Sequence, residues 1–340
     1  MKNVVVIGGG TAGIETSGIL SEFGYGVTLV EQSNQIGGKI LKWDHLFPDK
    51  IPAAEIENYL DEKCRTGNFT IQKNTVIEEA IRLNGKWVLR TGNDRVLESD
   101  AVVITTGFEI FDASRKEEYG YNIYENVITS ADLEEKLKSG KKITTRSGAT
   151  PQRIAFVHCV GSRDEKTGNQ YCSRICCITG VKQAIGLHDM LPGTEIYGFY
   201  MDLRMYGRNF EELYREAQEK HNIQFIRGRL SEVSEQMDKS LLIKAEDTLA
   251  GRPLKMTVNL LILLVGMEPG KGTKRMARIF GLETGIDGFL KPENSYTGNN
   301  RSNQKGIFLA GSCICPMSVN DTVANARSAA YEVHHYLNGK

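Results

Sequence analysis

A chain of 340 residues with 40% apolar composition has enough material for two packed α/β domains and is too apolar for a disordered polypeptide. Its 42 basic and 42 acidic residues cancel, so no basic surplus points to nucleic acid or to an anionic membrane. The longest apolar run, residues 260–265, falls far short of the ~20 residues a membrane span needs, so no direct membrane insertion is expected.

The N-terminus enters a strand at once, Val4-Val5-Val6-Ile7, with no charged-then-apolar leader, which predicts the cytoplasm. Further strand-like runs follow at 27–31, 101–105, 153–158, 195–200, 222–226, 260–265 and 306–310, with helical patterns between many of them. Alternation of this kind predicts doubly wound parallel sheets. The polar stretch 136–142, running on to Thr150-Pro151, reads as a crossing between domains. The expected organisation is a discontinuous first domain, residues 1–145 and 270–340, with a second α/β domain inserted at 146–269.

The strand at 4–8 feeds a G-x-G-x-x-G loop, Gly8, Gly10 and Gly13, and a helix whose N-terminus can take a pyrophosphate. The next strand ends in Glu31, placed to accept hydrogen bonds from a ribose. Three further turns follow: Gly37-Gly38-Lys39, Thr106-Gly107 after a buried strand, and Gly311-Ser312 after the last strand. These turns resemble those of the FAD-binding, thioredoxin-reductase-like flavoproteins with two dinucleotide-binding domains, so FAD is expected rather than NAD. After Gly311, Asp321-Thr322 opens a helix whose positive end would face the flavin pyrimidine. Ser312 stands where that class usually has an acid.

The inserted domain opens on a strand that runs into Cys159-Val160-Gly161, where a second glycine fingerprint for NADPH would lie, so direct nicotinamide binding is not expected. Four of the seven cysteines, Cys159, Cys172, Cys176 and Cys177, form a C-x12-C-x3-C-C pattern. A helix is expected from this stretch to about Met190, with Cys172 and Cys176 four apart on one face. The pattern suits one [4Fe–4S] cluster; zinc, a redox disulfide and inert thiols are the alternatives.

Cys-Val-Gly-Ser-Arg-Asp at 159–164, Tyr-Cys-Ser-Arg-x-Cys-Cys at 171–177, Lys182, Met201-Asp202-Leu203-Arg204 with Tyr206-Gly207, and Val265-Gly266-Met267-Glu268-Pro269 together resemble the A subunit of heterodisulfide reductase. The resemblance covers nearly the whole chain. It implies FAD and one [4Fe–4S] cluster on Cys159, Cys172, Cys176 and Cys177, a flavin-edge position for Lys182, and electron transfer rather than substrate chemistry on this chain. It also implies work beside B- and C-type subunits; a homodimer is usual for the fold. Methanogen A subunits carry additional ferredoxin-like cysteine motifs and cysteines after the Phe-Pro that matches Phe47-Pro48, whereas Asp49-Lys50-Ile51-Pro52-Ala53 follows here. The short form is most similar to the A-like subunit of the heterodisulfide-reductase-like complexes of sulfur oxidisers, with a lipoate-carrying protein as an expected partner. The A subunit of the quinone-interacting complex of sulfate reducers comes next. A stand-alone NAD(P)H-dependent flavin disulfide reductase, with Cys176-Cys177 or Cys313 and Cys315 as its dithiol, is the rival. Cys64 reads as a packed or surface thiol, Cys313 and Cys315 as a loop lining the cofactor pocket, and His334-His335 as a solvent-facing helix end.

Overall fold

The computed structural model describes residues 1–339. β1 (Asn3–Ile7), α1 (Thr11–Glu22), β2 (Gly26–Val30), α2 (Ala53–Thr66) and β3 (Phe69–Gln72) are followed by an antiparallel meander, β4 (Ile77–Leu83), β5 (Lys86–Thr91) and β6 (Val96–Ser99). β7 (Ala101–Ile104) and β8 (Phe108–Ile110) lead to β9 (Val127–Thr129), α3 (Ser130–Lys138), β10 (Arg153–Val160), α4 (Cys176–Met190), β11 (Glu195–Tyr200), α5 (Phe210–Glu219) and β12 (Gln224–Arg227). A second meander, β13 (Leu230–Glu235), β14 (Leu241–Asp247) and β15 (Arg252–Val258), precedes β16 (Leu260–Val265) and β17 (Met267–Pro269). The chain closes with α6 (Lys271–Phe280), β18 (Ile307–Leu309) and α7 (Val319–Leu337).

These elements form two compact units. The first holds residues 1–41, 53–109 and 268–340, and the second holds 42–52 and 110–267. The crossing expected at 145/146 therefore lies at 109/110. The reason is strand pairing: β9 joins β16 in parallel, Val127 opposite Leu261 and Thr129 opposite Leu263, which commits the preceding residues to the second sheet. The polar stretch after α3 is a connection within that unit. Residues 42–52 leave the first unit as a short excursion, held by a Lys50–Glu216 ion pair at 3.0 Å and an edge-to-face contact of Phe47 with Phe210.

The first unit is built on a parallel sheet in the order β18-β7-β1-β2-β3. Val4–Ile7 and Ala101–Ile104 are buried throughout, because helices on both faces of a parallel sheet leave no solvent side. Its core joins Val5, Ile7, Val102, Ile104 and Leu309 to Trp87, Met276 and Phe280. Glu15 of α1, fully buried, accepts hydrogen bonds from Arg327 Nε at 2.7 Å and Tyr59 Oη at 2.8 Å, and Lys63 Nζ lies 3.7 Å away. One carboxylate thus ties α1, α2 and α7 together.

The second unit has the order β12-β11-β10-β16-β9. One face carries Ile154, Phe156, Ile262 and Leu264 against α4, α5 and α3. The other carries Ala155, Val157, Leu261 and Leu263 against the second meander. This odd–even division along β10 is the period-2 pattern of a strand.

Candidate dinucleotide and thiolate sites

In the first unit the expected glycine turns converge on the first turn of α1. Gly8 has φ +118°, and a Cβ on Gly13 would stand 1.8 Å from the Gly8 carbonyl oxygen, so the turn closes only with glycine there. A Cβ on Gly38 would stand 3.0 Å from Gly10 Cα, and one on Gly311 2.8 Å from Ala12 Cβ. A Cβ on Gly10 would meet nothing nearer than Gly38 Cα, at 4.0 Å. α1 has no side-chain N-cap and no acid in its first turn, so its leading amides are left for an anion. The Glu31 carboxylate accepts from Gly9 N–H and Ser33 N–H, each at 2.7 Å, and keeps further lone pairs for a hydroxyl. Thr106 hydrogen-bonds Thr273 at 2.8 Å, Thr273 donates to the Gly107 carbonyl at 3.1 Å, and Lys39 Nζ lies 5.1 Å from the Phe108 ring centre. Asn325, unassigned from sequence, accepts from Gly311 N–H at 2.8 Å, while Ser312 is buried beside it in the chain.

α7 begins at Val319, two residues earlier than expected, and Ser318 closes a capping box with Asp321. Thr322 Oγ1 donates to the Ser318 carbonyl at 2.7 Å. Asp321 and Thr322 therefore serve the helix cap in this structure, and an acid occupies that helix's first turn.

In the second unit, β10 carries a bulge between Val157 and Val160, and Cys159 sits in the left-handed region at φ 61°. The slip breaks the alternation: Cys159 joins the core on the α4 face, where a regular strand would have put it on the other, and Val160 takes the meander face. The expected helix over 171–190 begins only at Cys176. Arg174, at φ 62°, breaks any helix before it, so Cys172 lies in the preceding turn and shares no helix face with Cys176. Arg174 N–H donates to Cys172 Sγ at 3.3 Å. Cys176 and Cys177 occupy the first turn of α4, at its positive end, where a nucleotide-binding βαβ unit would present a phosphate turn.

Cys159, Cys176 and Cys177 are buried and Cys172 is half-buried. Cys176 hydrogen-bonds both Cys159 and Cys177, and this together with burial holds its own thiol well above the ordinary value. The Cys176 thiol pulls Cys159 down against burial, with help from Arg163. It pulls Cys177 down likewise, aided by His158 and the Arg204 backbone.

The segments that frame these cysteines are those that carry the family resemblance, and the structure gives them roles. Arg163 pairs with Asp202, and Asp202 lies 3.7 Å from Arg204. Arg174 Nε donates to Tyr206 Oη at 2.6 Å. Ser173 Oγ accepts from Met267 N–H at 2.9 Å, and a Cβ on Gly266 would stand 2.8 Å from that oxygen. Asp164, nearly fully buried, is pushed up by burial, but Lys116 at 2.8 Å and Arg229 at 3.2 Å outweigh this and hold its carboxyl below the ordinary value. Three non-glycine residues of this region, Cys159, Arg163 and Arg174, have positive φ, a strain of ~1–3 kcal/mol each that only a well-packed loop sustains.

Lys182 lies on α4 but is not solvated. Its Nζ pairs with Glu134 and donates to the His45 carbonyl at 2.8 Å, with both side chains buried. Glu134 also accepts from Gln183 Nε2 at 2.8 Å and Asp44 N–H at 2.9 Å, so the pair pins the 42–52 excursion. The Cys313 thiol is fully buried and donates to the Ile104 and Ala310 carbonyls, each at 3.3 Å. Cys64 is half-buried on α2. Among the described residues no helix is long and apolar enough to cross a membrane.

Residues 1–135 match the family model described as pyridine nucleotide-disulphide oxidoreductase. The chain is 31% identical to the A subunit of the H(2):CoB-CoM heterodisulfide,ferredoxin reductase of Methanothermobacter thermautotrophicus, over 96% of this chain and 62% of that one. It is 31% identical to the iron-sulfur A subunit of the CoB--CoM heterodisulfide reductase of Methanocaldococcus jannaschii, over 98% of this chain and 64% of that one. It thus spans less than two thirds of the length of these relatives. In three dimensions it is similar to thioredoxin reductase of Lactococcus lactis, with a TM-score of 0.69 at 16% identity and full coverage of both chains. Thioredoxin reductase of T. acidophilum gives 0.66 at 15% identity, covering 100% of this chain and 99% of that one. Those likenesses establish a thioredoxin-reductase-like α/β fold of two domains. The chain is similar to the A subunits of heterodisulfide reductase over nearly its whole length.

Proposed function

We propose that this chain is an FAD- and [4Fe–4S]-dependent electron-transfer subunit of a cytoplasmic heterodisulfide-reductase-like complex that handles sulfur compounds in their oxidation. The observation that carries the reading is the bulge that turns Cys159 onto the face of Cys176 and Cys177, at the positive end of α4. The donor set is four thiols that lack the C-x2-C pairs a structural zinc usually takes, which supports a cluster over a single zinc ion. Arg163 is within electrostatic reach of both Cys159 and Cys172, which supports assigning the fourth thiol to the same group.

Cys159, Cys172, Cys176 and Cys177 would hold the cluster. FAD would lie on Gly8, Gly10 and Gly13 with Glu31, Gly37, Gly38, Lys39, Thr106, Gly107, Gly311, Ser312, Asp321 and Thr322 around it. When bound, the flavin exchanges electrons in pairs and the cluster singly. The chain's own groups do the holding: α1 amides orient a pyrophosphate, and burial of Cys159, Cys176 and Cys177 shields three of the four sulfurs. Lys182 is the residue assigned to the flavin edge. B- and C-type subunits, a lipoate-carrying protein and a second copy of the chain are the proposed partners; a place in the quinone-interacting complex of sulfate reducers rests on the same residues. Anaerobic purification followed by FAD, iron and sulfide analysis and EPR tests the reading. Cys172→Ala and Cys177→Ala should each lose iron and sulfide while keeping FAD, and Cys64→Ala should lose neither; full iron and sulfide in either cluster variant overturns it.

The rival, a self-sufficient NAD(P)H-dependent disulfide reductase, is disfavoured by two observations. β10 enters a loop of some fifteen residues before its helix, not a tight phosphate turn, and the Cys313 thiol is locked onto two carbonyls.

A further inference from the structure

At the far end of α4 from the cysteines, a second constellation brings together His188, Asp189 and His221. His188 and Asp189 lie in the last turn of α4, and His221 follows the end of α5. About eleven residues of helix, roughly 16 Å, separate it from Cys177. His188 Nδ1 and His221 Nδ1 face each other at 3.2 Å, with the rings nearly perpendicular at 83°. Asp189 Oδ1 lies 3.2 Å from His221 Nδ1 and 3.9 Å from His188 Nδ1.

Two of these edges, both 3.2 Å, come close to what a tetrahedral ion imposes, and the third, His188 to Asp189, is longer at 3.9 Å. Metal–nitrogen and metal–oxygen bonds of ~2.0–2.1 Å give donor–donor edges of about 3.3–3.5 Å. Two imidazoles and one carboxylate are donors suited to zinc and neighbouring divalent metals. The far nitrogen of His221, Nε2, lies 3.5 Å from Glu216 Oε1, the carboxylate–histidine contact that orients a metal-bound ring, and Lys50 anchors Glu216 in turn. The C-terminal ends of α4 and α5 both meet here, and each brings partial negative charge. Asp189 is 59% exposed, so the fourth position opens to water.

We infer that His188, Asp189 and His221 form a site for one divalent transition metal ion of the zinc class, clipping the end of α5 to the end of α4. It is independent of the cofactors assigned above. Without metal the same atoms are an ordinary imidazole–imidazole hydrogen bond beside an aspartate, and experiment separates the two.

The cofactor-loaded chain, stripped of loosely bound metal, is titrated with Co2+ and then with Zn2+. One equivalent of Co2+ should bring visible d–d bands without thiolate-to-cobalt charge transfer, and Zn2+ should displace it. Zinc X-ray absorption should report a shell of nitrogen and oxygen only. His188→Gln and His221→Gln should each weaken Zn2+ at least about tenfold with iron and FAD contents unchanged, and Glu216→Gln should weaken it by roughly 10–100-fold. Circular dichroism establishes that each variant is folded. Sulfur in the zinc shell, no stoichiometric uptake at micromolar Zn2+, or equal uptake by the folded His188→Gln/His221→Gln variant overturns the inference.

Discussion

Replacing Lys182 by Met tests how the 42–52 excursion is held and what that lysine does. Lys182 and Glu134 side chains are 7% and 4% exposed, so their pairing is shielded from water. Loss of a surface pair costs ~0–1 kcal/mol, but removing one partner of a buried pair costs about 3–5 kcal/mol, because the other charge is left without a counterion. In Lys182→Met the Glu134 carboxylate keeps the Gln183 and Asp44 donors but no cation. Glu134→Gln strands the ammonium instead. The double variant removes both charges and keeps a carbonyl oxygen for Gln183, so it should lose less than the sum of the singles, with a coupling of roughly 2–3 kcal/mol. Trp43 adjoins Asp44, so urea unfolding read from its fluorescence in a Trp87→Phe background reports the second unit alone. A loss below about 1 kcal/mol in Lys182→Met, or additive singles, would refute the reasoning. The same variant addresses the flavin: if Lys182 stands at its edge, the midpoint should fall by on the order of tens of millivolts, since a cation that stabilises the reduced anion has gone. An unchanged midpoint with FAD bound removes that role and leaves the structural one.

Three further outcomes are expected. Gly13→Ala should abolish FAD binding, since its Cβ would stand 1.8 Å from the Gly8 carbonyl; retention of flavin in the purified variant counts against the site. NADH and NADPH should reduce the flavin only slowly in stopped-flow mixing, and rapid bleaching would restore the disulfide-reductase reading. Burial pushes the Cys313 thiol up to about 12, so it should resist iodoacetamide at pH 8 in the folded chain. The folded state holds that proton more tightly than an unfolded thiol near 9.0, so this group should leave stability unchanged below about pH 9 and lower it progressively from there towards about 12. Rapid alkylation of Cys313, followed by peptide mass spectrometry, contradicts this.

Much of the fold was legible because parallel strands buried on both faces read as unbroken apolar runs, and β1, β7 and β16 announce themselves in this way. The antiparallel meanders were not: β4 exposes most of its side chains, and β13 breaks the period-2 alternation. The unit boundary was misplaced because polar composition after α3 marks a surface connection as readily as a crossing, and three-residue β9 gives no strand signal. In the thiolate site the residue types were readable but their placement was not. Neither the positive φ of Arg174, which ends any helix before Cys176, nor the bulge beneath Cys159 follows from local propensity. Glu15 and Glu134 were missed for a related reason: acids in helical patterns read as solvated until tertiary packing brings Arg327 or Lys182 to them.

The bulge in β10 makes the sulfur group sensitive to counting. Were β10 to run on in regular alternation through the same residues, position 159 would turn towards Phe111 and Leu263 and Val160 would face Cys176 and Cys177, with all seven cysteines still in the chain. Conversely, a dinucleotide-type sheet needs only a one-residue stutter at the end of its central strand, and thiols at the head of the next helix, to exchange a phosphate platform for a group of converging thiols. Its length in that strand is therefore as informative about a related chain as its cysteine spacing. An aligner that closes this gap for the sake of a higher score would erase the feature on which the chemistry turns.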